Sequence, residues 1–155
     1  MRAPGLGRRG AMRLAGAALA LALVGCDRPA EGSPEAVADA FADAYFRRAD
    51  QEKAKEFTAF TASKVLDEEI RQVADVRRSG YTPAAAGIGV TVKRGKRTAR
   101  GARVRFDYAI TYEGRDAPVT KHADVELSMV HGKWKVVRIG LAHEGAPAPA
   151  PSASG

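Results

Sequence analysis

The stretch "ARVRFDYAITYE" (residues 102–113) decides the fold. Ala102, Val104, Phe106, Tyr108, Ile110 and Tyr112 occupy alternate positions, with Arg103, Arg105, Asp107, Thr111 and Glu113 between them. Successive side chains of an extended chain point to opposite sides, so this is a strand with one face on a core and one in water. The pattern recurs in "VTKHADVELSMV" (residues 119–130), where Ala123, Val125, Leu127 and Met129 form the apolar side. "HGK" then reads as a turn and "WKVVRIGL" (residues 134–141) as a last strand. Upstream, Ile88 to Val92 reads as another strand, connected onward through "KRGKR" (residues 93–97). Short connections pair strands antiparallel, so the expected sheet has three to four antiparallel strands.

Before the strands the period becomes helical. In "SPEAVADAFADAYFRR" (residues 33–48), Val37, Phe41, Ala44, Tyr45 and Arg48 share one side, with Asp39 and Asp43 outside. Ser33 suits an N-cap, Pro34 the first helical position and Glu35 the first turn. Asp50 offers a second cap. Residues 61–80 place Val65, Leu66, Ile70 and Val73 on one face; Gly80 suits the C-terminal cap and Pro83 prevents a restart. Two or three helices followed by strands give an α+β fold, with N-terminal helices packed on one face of a curved sheet. The core-forming part spans residues 34–144, enough for one modest core.

The N-terminal segment follows different rules. Residues 1–25 hold Arg2, Arg8, Arg9 and Arg13 and no acid, and the run from Leu14 to Gly25 is uncharged. Its twelve residues are too few for a bilayer span, which needs about 17–25. A basic stretch followed by a short apolar one is the pattern of a cleaved export signal. Arg8-Arg9 lacks the rest of a twin-arginine pattern. The run ends in "LVGC" (residues 23–26), on the chain's single cysteine.

These four residues resemble the bacterial lipobox. The resemblance implies cleavage between Gly25 and Cys26, diacylglycerol transfer to the Cys26 thiol, and acylation of the new N-terminus. Two or three chains hold a membrane where one is marginal. The implied location is a membrane-anchored lipoprotein facing the periplasm or the cell exterior, with Asp27 leaning towards the inner membrane. "DRPAEGS" (residues 27–33) reads as a tether, and "GAPAPAPSASG" (residues 145–155) as an Ala/Pro/Ser tail that cannot build a core.

The net charge is +7, and removing the four arginines of residues 1–25 leaves +3. Residues 35–80 carry 8 basic and 10 acidic side chains; residues 88–143 carry 12 and 5. The basic half centres on Lys93, Arg94, Lys96, Arg97, Arg100, Arg103 and Arg105. This cluster is a candidate anion-binding surface for lipid or polymer phosphates or an acidic envelope protein. Its plainer reading is a solvated hairpin whose charges block edge pairing. No aromatic interleaves it, so nucleic acid is not the expected partner.

The order of elements, closing in "VHGKWKVV" (residues 130–137), resembles the nuclear transport factor 2-like (cystatin-like) superfamily over roughly Glu35 to Leu141. The resemblance implies a cone of helices and sheet that can enclose a pocket, and admits a homodimer. It makes Tyr45, Tyr108 and Trp134 candidate pocket residues; the plainer reading of these and of Tyr112 is core aromatics with hydroxyls at the rim. Enzymes of that fold place an Asp or His base among Tyr or Asp donors. Here Asp107 falls on the polar face, and so does His122, beside Asp124 and Glu126. His131 lies in the turn and His143 near the tail, so no metal-ligand spacing arises. No nucleophile elbow, phosphate loop or dinucleotide fingerprint is present; Gly87 and Gly89 alone mean little. The expectation is therefore an envelope lipoprotein with a non-catalytic accessory domain, binding a partner protein or small ligand and needing no cofactor. The alternatives are an isomerase- or dehydratase-type enzyme of the same fold, and a structural protein that holds anionic polymer or lipid through residues 93–105.

Overall fold

The computed structural model of the protein describes residues 29–114 and 116–141. Residues 1–25, Cys26, Asp27, His143 and the tail 145–155, for which sequence expectations were drawn, lie outside the described residues. Three α-helices, α1 (Pro34–Ala42), α2 (Gln51–Lys55) and α3 (Phe60–Arg78), precede four strands. These are β1 (Gly89–Arg100), β2 (Arg103–Glu113), β3 (Val119–Val130) and β4 (Lys133–Leu141). They form one antiparallel sheet in the order β1-β2-β3-β4, with the helices against it: the α+β arrangement expected.

The caps fall where the sequence put them. Ser33 Oγ accepts from Ala36 N at 3.1 Å and opens α1. Asp50 Oδ1 accepts from Lys53 N at 2.9 Å and opens α2. Gly80 follows α3 with φ of +82°, the left-handed conformation that glycine tolerates best. The helices reach the sheet closely because much of the interface is alanine: Ala38, Ala42, Ala44, Ala54 and Ala62 are buried. Around them pack Phe41, Phe46, Leu66, Val104, Phe106, Tyr108, Ile110, Val125, Leu127 and Val136.

The first helix departs from its expected face. After Ala42 the chain widens into a π-turn, Asp43–Arg47, closed by Arg48 N donating to Asp43 O at 3.0 Å. The extra residue brings Phe46 inward, where it meets Phe41 edge-on at 6.3 Å and Tyr45 at 4.9 Å. Arg48, expected on the apolar face, is exposed and paired with Asp43.

The basic run is also placed differently. "KRGKR" is not a connection: β1 continues through it to Arg100, and the hairpin turns at Gly101-Ala102, so Ala102 leaves the strand. A bulge between Arg94 and Arg97 adds a residue to β1. Two further residues expected to face the core, Met129 and Val65, are 48% and 44% exposed. The β3–β4 turn is the two-residue His131-Gly132, both with positive φ (48° and 77°), which matches the twist of a hairpin. Against the outer edge of β4 lies the segment before α3. Val136 N donates to Phe57 O, and Ala59 N to Val136 O, both at 2.9 Å.

Candidate functional site

The sequence places Asp39 and Asp43 on the outside of α1. The structure turns Asp39 towards the sheet. Tyr108 Oη donates to its Oδ1 at 2.9 Å, and Arg94 Nη1 to its Oδ2 at 2.6 Å. One turn earlier on α1, Glu35 pairs with Arg97 at 2.9 Å. Acids at i and i+4 lie on one helix face. Residues three apart on a regular strand point oppositely, and the bulge is what aims Arg94 and Arg97 at that same helix. Arg94 also lies 5.6 Å over the Phe106 ring. A cleft of about 460 Å³ opens beside this cluster, lined by Asp39, Ala42, Asp43, Arg47, Val92, Arg94 and Tyr108.

The seven basic residues of 93–105 do not share one surface. Arg94 and Arg97 are held against α1. Arg103 pairs with Glu126 at 2.8 Å across β2 and β3. Arg105 lies 3.4 Å from Asp124 and 3.7 Å from Asp107. Lys93, Lys96 and Arg100 have no ion-pair partner among the described residues.

The candidate pocket aromatics separate as well. Tyr108 lines the smaller cleft; Tyr45 and Trp134 line neither cavity. Tyr45 stacks on Phe41 at 5.3 Å and donates its hydroxyl to Glu69 Oε1 at 2.7 Å. Trp134 stands opposite Met129 beside the last turn and packs on the core. Burial raises the Tyr45 hydroxyl well above the usual phenol range, and the Glu69 carboxylate adds to it. Burial does the same for Tyr108, helped by Asp39. Tyr112 is raised by burial. Asp107, His122, Asp124 and Glu126 occupy the wet face of the sheet, as expected. Among the described residues no three His, Cys, Asp or Glu side chains converge as a metal site, and no helix is long and apolar enough to cross a membrane.

The principal cavity, about 940 Å³, has no counterpart in the sequence expectations. Its floor is apolar: Ile70, Val73 and Ala74 from α3, Pro83 and Ala84 from the following loop, and Ile88 and Val90 from the start of β1. Its charged lining is Arg47, Arg48 and Glu52, which are exposed and so stand at its opening, with the half-buried Asp50 and Arg77. The helical period puts Ile70 and Val73 on the packed face of α3. Ile70, Val73 and Ala74 are only partly buried, however, and line this cavity rather than the packed core. The loop at residues 82–87 folds on itself through Ile88 N donating to Pro83 O at 2.9 Å, which closes one wall. A concave, largely apolar site of this size with a few polar groups at its mouth suits a small organic ligand.

No family model and no curated protein matches the sequence. Solved structures to which the chain is similar include Bd1075 of Bdellovibrio bacteriovorus, at 12% identity, covering 71% of this chain and 39% of that one, with a TM-score of 0.47. They also include AclR from Streptomyces galilaeus, at 14% identity over 70% of this chain and 79% of that one, with a TM-score of 0.40. A third is the intermembrane space region of the chloroplast protein ARC6, at 12% identity over 76% and 99%, with a TM-score of 0.39. This chain thus spans about two-fifths of the length of Bd1075.

Proposed function

We propose that this chain is an exported, lipid-anchored envelope protein whose α+β domain holds a small, largely apolar molecule without catalysing a reaction on it. The observation that carries the binding reading is the 940 Å³ cavity with its floor of Ile70, Val73, Ala74, Ile88 and Val90. The anchor rests on "LVGC" at residues 23–26, after a basic and then an apolar stretch. The non-catalytic reading draws on the hydroxyls of Tyr45 and Tyr108, which donate to Glu69 and Asp39 and stay protonated. A hydroxyl so committed is a poor donor to a developing oxyanion.

Two experiments test the halves separately. Native mass spectrometry of the chain released from membranes should find a retained small mass, and Ala74→Trp, which puts an indole into the cavity beside Ile70 and Val73, should lose it while melting normally. A wild-type chain that carries no added mass, and takes up none from a lipid extract of the same membranes, overturns the binding half. Cys26→Ser should leave the signal uncleaved or the protein free of the membrane fraction; a mature, membrane-bound Cys26→Ser protein overturns the anchor.

A further inference from the structure

Three arginines line the mouth of the large cavity, and they are not equivalent. Arg47 and Arg48 both pair with Asp43, Arg48 at 2.9 Å. Arg77 has no carboxylate partner among the described residues. Its Nη2 donates to Gln51 Oε1 at 2.9 Å and its Nη1 to the Tyr81 carbonyl at 3.1 Å. Both acceptors are neutral. Arg77 is half-buried, and three of its five N–H groups remain available. The two bonds fix its plane between the start of α2 and the chain that leaves α3. An arginine held in position, partly out of water and without a counter-ion, is a prepared anion site.

The rest of the mouth limits the anion. Asp50 and Glu52 also line it, so a second negative charge on the ligand would meet them. With Asp43 counted, the three arginines around the cavity face three carboxylates, so no surplus positive charge awaits a phosphate dianion, whereas the one guanidinium without a carboxylate partner matches a single carboxylate.

We infer that the cavity takes a monocarboxylate with a single apolar chain, its carboxylate on Arg77 and its chain over Ile70, Val73, Ile88 and Val90. This rests on the binding reading above and adds the charge of the ligand to it. Arg77 is then the residue that sets specificity for an acid over a neutral chain of the same length.

The test uses the full chain in its own membranes with two photoreactive probes: a C16 fatty acid carrying a diazirine and an alkyne, and the corresponding fatty alcohol. After illumination, labelled peptides are mapped and quantified. Wild type should be labelled by the acid at residues 70–90, about tenfold above the alcohol, the loss expected for one charge-assisted contact. Arg77→Gln should remove that preference and leave alcohol labelling unchanged, and Arg77→Lys should keep part of it. Equal labelling by acid and alcohol in wild type overturns the inference while leaving the binding reading intact, and needs no variant. Labelling of residues 70–90 by neither probe, or labelling that Ala74→Trp leaves unchanged, overturns both.

Discussion

Asp39 does more than its position in the sequence suggests. One carboxylate accepts the buried Tyr108 hydroxyl and the Arg94 guanidinium, tying α1 to the middle of β2 and to β1. Asp39→Ala leaves a buried hydroxyl and the Arg94 cation without their acceptor, and should destabilise the domain by about 2 kcal/mol in urea titration. Tyr108→Phe removes only the donor and should cost about 1 kcal/mol. The same pairs set the alkaline limit of the fold. Unfolded tyrosines ionise near pH 10, while folded Tyr45 and Tyr108 keep their protons beyond that. Above pH 10 the unfolded state therefore binds fewer protons than the native state, and stability falls as pH rises. The slope approaches about 1.4 kcal/mol per pH unit for each tyrosine. Urea midpoints should be flat in this respect up to about pH 9.5 and fall above pH 10; Tyr45→Phe with Tyr108→Phe should remove most of that fall. Asp39 could not be assigned from periodicity, because an acid on a helix flank reads as solvated unless a cation is known to face it.

The alternation of residues 103–113 and 119–130 was legible at the scale of elements because one face of each strand is buried and the other wet. The caps were legible because Ser33, Asp50 and Gly80 do their work locally. β1 was not. Both its ends are sheet, yet its middle is charged and bulged, and "KRGKR" carries the composition of a loop. What holds it extended is its pairing with β2 and the pull of Glu35 and Asp39 on Arg97 and Arg94. The hairpin turns carry their own test. Gly132 sits at φ of +77°, and a Cβ placed on it would meet no atom within 4 Å, so crowding plays no part. Gly132→Ala should still cost about 1–2 kcal/mol, the penalty of a left-handed backbone. His131→Asn at φ of +48° should gain a few tenths of a kcal/mol, since asparagine tolerates that region better. Both are read from thermal melts.

For the whole molecule, the core and the cavity divide α3 between them. Its first half carries Ala62 and Leu66 into the core, both almost completely buried. Its second half presents Ile70, Val73 and Ala74 to open space. Leu66→Ala should cost about 2–5 kcal/mol by chemical denaturation, since it leaves a hole among packed neighbours. Ile70→Ala should cost distinctly less, since its surroundings are already open. Sequence alone gives both residues the same helical phase, and only what packs against them separates the two roles. The candidate site was hidden for this reason: its lining is spread over α2, α3, a loop and β1, and no local motif joins them.

The π-turn at Asp43–Arg47 has a further consequence, for how the gene can vary. Such a turn lets a helix carry one residue beyond what its downstream register requires. Removal of Ala44 would leave Tyr45 and Phe46 three and four positions after Phe41, on the same helical face, with a plain α-helix beneath them. A one-codon deletion there should therefore be absorbed, with a smaller drop in melting temperature than deletion of Ala62 in the regular turns of α3. The first helix carries its own spare residue, and chain length at this point is free to change without moving the sheet.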